Sequence, residues 1–327
     1  RGTPDAGIAV SVASVTPSAL GSVVNVQDLA SCPGGAPAGS TCKAIQVRGC
    51  PGIEQESIDA TVAILPPSGP LRGTITHFKG GGGQGFQVQG TAEYQAAGFR
   101  QVYLSWGVGS DWEQTASHGI KTAACRPATV LAWIFADPSL HGGSRSVAFC
   151  GEGFSGGSGQ LGYALTDYGM AGVLDYVNEL SGPPFSRIDL GCDGSAPPTM
   201  MVCGDPVTTR LPNTVTSWEN IAAPLQCGSS NVPAAELARW KADSVAVGGT
   251  FSYPQTRVEM FDCTNGATAV TAMARLYFEQ IVRAEGGTAN AAFHCYKQVD
   301  GCQGEALGPR GTSEAIQAML DGCTPRH

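Results

Sequence analysis

From residue 57 onward, short apolar segments of strand length alternate with segments of helical spacing, and this alternation is what most narrows the possible folds. Ser57–Leu65 alternates up to Pro66-Pro67 and reads as a strand. Gly73–Phe78 is a second strand and runs into Gly80-Gly-Gly-Gly83, and Arg100–Trp106, after a short helix at Thr91–Ala97, is a third. Pro127–Phe135 has helical spacing behind a proline suited to a first turn. Ser146–Cys150 reads as a strand, with helices expected at about 157–168 and 171–180, the second leading to Ile188-Asp-Leu190. The rhythm returns with a strand at Arg257–Phe261, a helix at 266–283, a strand at Ala291–Phe293 and a closing helix at Thr312–Leu320. Strands separated by helices predict an α/β chain with a doubly wound, mostly parallel sheet.

Two stretches stand outside this rhythm. Residues 1–55 are rich in Gly, Pro, Ala and Ser and read as a loop-rich lead-in. Residues 192–245 hold three cysteines and several prolines without a clear period, and read as an inserted lid or cap. With no internal repeat, the economical expectation for 1–327 is one α/β domain carrying that insertion.

Twelve cysteines are scattered along the chain with no Cys-x-x-Cys pair, which argues against zinc sites and thioredoxin-like motifs. An even, dispersed set suits disulfides and predicts a secreted, extracellular protein. The opening at Arg1 rather than Met fits a leader or pro-segment removed beforehand. No apolar run is long enough for a membrane span, and there is no Asn-x-Ser/Thr sequon. Only 14% of residues are charged, and the net charge of −8 comes without a basic run, so a nucleic-acid partner is not expected.

The chemistry concentrates at Gly153-Phe-Ser155-Gly-Gly157, which matches Gly-x-Ser-x-Gly. A nucleophile on a sharp strand-to-helix turn needs small residues two places to either side, and here a strand leads in and a helix leads out. The same residues fit Gly-x-Gly-x-x-Gly from Gly151, but that dinucleotide fingerprint belongs in a first βα unit with an acidic residue ~20 positions on. Lys79 beside the glycine run lacks the Gly-Lys-Ser/Thr order of a phosphate loop.

A serine nucleophile needs a base, and the base an orienting acid. His294 follows a late strand and is the expected base; His77, His118, His141 and His327 read as structural, solvated or terminal. Asp262 closes its strand and is the expected acid, with an N-cap as its other reading and Asp189, Asp193 and Asp205 as fallbacks.

In the order Ser155…Asp262…His294, with a glycine run after an early strand, the chain resembles the α/β-hydrolase superfamily over about residues 56–323. The resemblance implies a Ser155–His294–Asp262 triad and an oxyanion hole from the N–H of Gly156 and a second N–H from Lys79, Gly80 or Gly81. It also implies an acyl-enzyme route to carboxylic ester hydrolysis, without metal or organic cofactor; extracellular placement suggests a plant-derived, lipid or polyester substrate, and a monomer is expected. Trp106, Trp112 and Tyr163 could line an apolar acyl site or belong to the core. A secreted peptidase or amidase of the same fold and a non-catalytic binding protein are the alternatives. Cys263 follows Asp262 and Cys295 follows His294, so a Cys263–Cys295 disulfide would brace acid against base. That resembles the bracing in secreted feruloyl esterases and tannases, whose cysteines flank Ser and His; Cys150, five residues from Ser155, departs from their pattern.

Overall fold

The computed structural model describes residues 17–107, 111–113, 118–193, 195, 198–210, 227–228, 231–264, 269–297, 302–303 and 306–327. The lead-in expected as loop contains two strands, β1 (Ser22–Asp28) and β2 (Thr41–Arg48), paired antiparallel and clipped by a Cys32–Cys42 disulfide. Proline and glycine between residues 33 and 39 make the hairpin turn, so the loop composition marks the connection and not the flanking strands. β2 pairs antiparallel with β3 (Ser57–Leu65).

The alternating part follows the expected rhythm. In chain order come β4 (Gly73–Phe78), α1 (Thr91–Ala96), β5 (Phe99–Trp106), α2 (Gly119–Ala123), α3 (Cys125–Ala136), β6 (Ala148–Phe154) and α4 (Gly156–Thr166). The helix expected at 171–180 is instead a 3-10 turn at Met170–Gly172 and a strand, β7 (Tyr176–Leu180). All five residues of β7 are buried. A strand covered on both faces has no reason to alternate in polarity, which is why its sequence imitates a helix.

After β7 come α5 (Ile188–Cys192), a hairpin of β8 (Thr199–Val202) and β9 (Asp205–Thr208), and α6 (Ala234–Ala242). Much of the stretch expected as a lid, including 211–226, lies outside the described residues. The chain then returns through β10 (Arg257–Cys263), α7 (Ala269–Glu285), β11 (Ala291–Tyr296), the short pair β12 (Cys302–Gln303) and β13 (Ala306–Leu307), and α8 (Pro309–Gly322).

The main sheet runs β1-β2-β3-β5-β4-β6-β7-β10-β11, parallel from β5 onward. Helices α3, α4 and α7 cover one face over a core that includes Val62, Leu161, Val177, Phe185 and Met260. Helices α1 and α8 cover the other, where Tyr94, Phe99, Tyr176 and Met319 pack on Ile75 and Cys150. A Cys150–Cys323 disulfide ties β6 to the C-terminus across this second face. The carboxyl ends of β4, β6, β7 and β10 meet at one edge, where open parallel sheets place their sites.

Candidate active site

The β6–α4 junction carries the unusual backbone. Ser155 has φ 51° and ψ −114°, a conformation side chains seldom adopt, and it is held from both sides. Its N–H donates to Leu180 O on β7 (2.8 Å), while its carbonyl accepts from the Ser158 hydroxyl (2.5 Å) and the Gly159 N–H (3.2 Å). The motif's glycines are required by contact. A Cβ on Gly157 would stand 2.1 Å from Phe78 O, and one on Gly153 would stand 2.4 Å from Gly157 O.

The glycine run after β4 lies directly against this turn. A Cβ on Gly80 would meet Ser155 Cβ at 3.1 Å, and one on Gly156 would meet Gly81 O at 2.4 Å and Gly81 N at 2.9 Å. Gly81 is therefore the member of the run that backs on Gly156. Neither the Gly81 nor the Gly156 N–H donates to a protein acceptor among the described residues; the first intrahelical bond of α4 starts at Gly159. Two adjacent free amides beside a serine are what a developing oxyanion requires.

The loop is fastened by side chains that the sequence reading left undecided. Trp112 Nε1 donates to Gly81 O (3.3 Å), the Trp106 N–H donates to Gly83 O (3.0 Å), and Trp106 Nε1 donates to Gln160 Oε1 on α4 (2.9 Å). Gln160 Nε2 in turn reaches Lys79 O at 3.5 Å. Trp106 and Trp112 are thus buried braces of the loop, and Tyr163, equally buried, donates to Asp243 O (2.7 Å).

His294 and Asp262 are not brought together. In the parallel pairing of β10 with β11, His294 stands opposite Phe261, and Asp262 opposite Cys295. Side chains alternate along each strand, so His294 shares a face with Phe261 and Glu259 while Asp262 points to the other face. The His294 ring stacks on Phe261 (4.3 Å, 9°), and its Nε2 lies 2.7 Å from Glu259 Oε2. Burial pushes the Glu259 carboxyl up, but hydrogen bonds from His294 and Arg257 outweigh it and leave the group below its ordinary value. Phe154, Leu180, Phe261 and His294 form one lateral row across β6, β7, β10 and β11. Three strand spacings, roughly 14 Å, separate Phe154 from His294, and no hydrogen bond joins Ser155 to a histidine among the described residues.

Alternation also corrects the expected disulfide. Cys263 sits opposite Tyr296, so Cys263 and Cys295 point to opposite faces. Cys295 bonds instead to Cys203 after β8, and Cys263 bonds to Cys302. The remaining histidines serve structure or surface. His77 is buried and stacked on Tyr103 (4.4 Å, 11°), with Nδ1 3.3 Å from Glu152 Oε1, close but outside hydrogen-bond geometry. His141 bonds Ser144 O, and burial holds it below its usual range. His118 is exposed, and His327 contacts Gln255. Among the fallback acids, Asp189 pairs with Arg187, Asp193 accepts from Ser195, and Asp205 accepts from Thr264 and Lys297.

Asp262 has a different partner in charge. It and Glu179 are both fully buried on the face covered by α4 and α7, and among the described residues none of their four carboxyl oxygens accepts a hydrogen bond of good geometry. Burial raises the Asp262 pKa well above its ordinary value despite the facing Gly182 amide. Burial first and then the nearby Asp262 charge raise Glu179 likewise, and the Tyr253 and Tyr277 hydroxyls face the same region. As pH rises past the normal carboxyl range, the unfolded chain releases these protons while the fold retains them, so stability falls with rising pH. Glu179→Gln keeps the shape without the ionisation. It is expected to raise the urea midpoint more at pH 8 than at pH 4; an equal change at both would count against the buried-acid account.

No protein-family model matches the chain, and no curated protein matches it in sequence. Among solved structures, an acetyl xylan esterase from Thermoanaerobacterium sp. JW/SL YS485 is similar at 12% identity and TM-score 0.53, covering 94% of this chain and 88% of its own. A bacterial heroin esterase (12%, TM-score 0.51, 88% and 85%) and carboxyl esterase 2 from the mycorrhizal fungus Tuber melanosporum (12%, TM-score 0.51, 89% and 89%) are similar over comparable spans. With its sheet order, this likeness shows that the chain has the α/β-hydrolase fold. Ser155 stands at the strand-to-helix turn between β6 and α4.

Proposed function

We propose that this protein hydrolyses carboxylic esters, with Ser155 attacking the ester carbonyl and carrying the acyl group until water removes it. The observation that carries this reading is the strained Ser155 turn set against the glycine run, with the Gly81 and Gly156 amides free beside it. The esterases that share the fold support ester over peptide bonds as the substrate. All twelve cysteines being paired supports an oxidising, extracellular setting. The test is labelling by a fluorophosphonate followed by peptide mapping, together with turnover of p-nitrophenyl esters against p-nitroanilides. Label on Ser155 and ester turnover are expected; absence of label, or faster anilide turnover, would sink the reading.

In this proposal His294 is the base, as the chain order has it; Asp262, on the opposite face in this register, does not meet it, and Glu259 is the carboxylate its ring nitrogen contacts. His294 rests on Glu259, so serving Ser155 requires its side chain to leave that carboxylate. His294→Ala is expected to lower kcat by about a thousandfold or more. A wild-type kcat in that variant would remove His294 from the reaction.

A further inference from the structure

A cavity of about 180 Å³ opens beside the nucleophile, lined by Gln87, Gln89, Phe154, Leu180, Ala306 and Leu307. Phe154 is the residue before Ser155, and Leu180 accepts the Ser155 N–H, so two of its walls are one bond or one hydrogen bond from the reacting residue. The Phe154 ring also flanks the oxyanion loop, since a Cβ on Gly80 would stand 2.9 Å from it. Phe154 and Leu307 pack around buried Leu180 in one apolar cluster, which leaves the two glutamines as the polar lining. The side-chain nitrogen of Gln89 is buried without a hydrogen-bond partner. A buried donor in that state is costly unless something accepts from it.

We infer that this cavity is the acyl subsite and that it selects a short acyl chain carrying an oxygen acceptor towards its far end, such as an oxo- or hydroxyacyl ester. The inference rests on Ser155 being the nucleophile of an ester hydrolase. A recess on the Phe154 side of Ser155 suits the acyl half, which stays attached through the covalent intermediate, whereas the alcohol must leave to solvent before water enters. The volume decides the length. An apolar cavity of about 150 Å³ holds a benzene ring, so this one takes roughly six or seven non-hydrogen atoms, and an octanoyl chain would extend beyond it. Gln89 would donate to the acceptor oxygen. A site built to satisfy such a donor discriminates against a ligand that leaves it unpaired.

The experiment compares kcat/KM for p-nitrophenyl 4-oxopentanoate, hexanoate and octanoate in the wild type, Gln89→Leu and Leu307→Ala. Fluorophosphonate labelling of Ser155 is followed in each as a check on the nucleophile. The wild type is expected to favour the oxo ester over hexanoate by about tenfold and to turn over octanoate slowest. Gln89→Leu should abolish the oxo preference, and Leu307→Ala should raise octanoate relative to hexanoate. Labelled variants in which neither ratio moves would overturn the acyl subsite. A wild type that Ser155 reagents do not label would overturn the esterase reading itself, a separate outcome.

Discussion

Ser155→Ala is expected to abolish fluorophosphonate labelling and to lower ester turnover by about ten-thousandfold or more, while the thermal midpoint stays near that of the wild type or rises. Losing the nucleophile of an acyl-transfer site removes the covalent route altogether, and what remains is the contribution of binding and oxyanion stabilisation. The expected stability follows from the backbone. An alanine in place of Ser155 keeps the same Cβ contacts, and the Ser155 backbone bonds to Leu180, Ser158 and Gly159 do not involve the hydroxyl. Activity is therefore separable from folding at this position. Ester turnover retained at wild-type rate with no label would remove Ser155 from the chemistry.

Gly157→Val is expected to damage folding and activity together. The added Cβ would stand 2.1 Å from Phe78 O, 2.7 Å from Phe78 C and 3.0 Å from Lys79 O, all backbone atoms at the point where β4 becomes the glycine run. No side chain can rotate away to relieve the clash, so either α4 moves off the sheet or the glycine run leaves Ser155. A cost of at least about 3 kcal/mol is the expected scale for overpacking of this kind. Gly172→Ala is the matched control, because its Cβ would meet nothing within 4 Å and its φ is ordinary; a change within about 0.5 kcal/mol is expected there. Urea midpoints and ester turnover measured on both variants check the contrast. A Gly157→Val protein of wild-type stability would show that the turn and the glycine run are not packed as described.

The features legible in the sequence are those set by neighbours along the chain. β3 and β4 fall on the residues expected, because alternation and flanking Pro or Gly are local signals. Gly-x-Ser-x-Gly is local too, since its glycines answer to the turn they form. β7 was not legible, because burial on both faces erases the alternation that marks a strand. Two kinds of residue pairing were beyond reach for one reason. Asp262 with His294, and Cys263 with Cys295, each look adjacent when only their strand-end positions are known. The β10–β11 register puts each pair on opposite faces and gives His294 to Glu259.

The alternation of strands and helices from β3 onward, β7 apart, the turn at Ser155 and the glycine run beside it follow from local pattern and steric size, and the chain determines them by itself. Which amide of the run backs on Gly156, what His294 rests on, how the cysteines pair and which residues line the cavity beside Phe154 were decided only by tertiary structure. Register between parallel strands is set by the packing of whole faces against α4, α7 and α8. A slip of one residue leaves the sequence pattern unchanged and moves every side chain to the other side of the sheet.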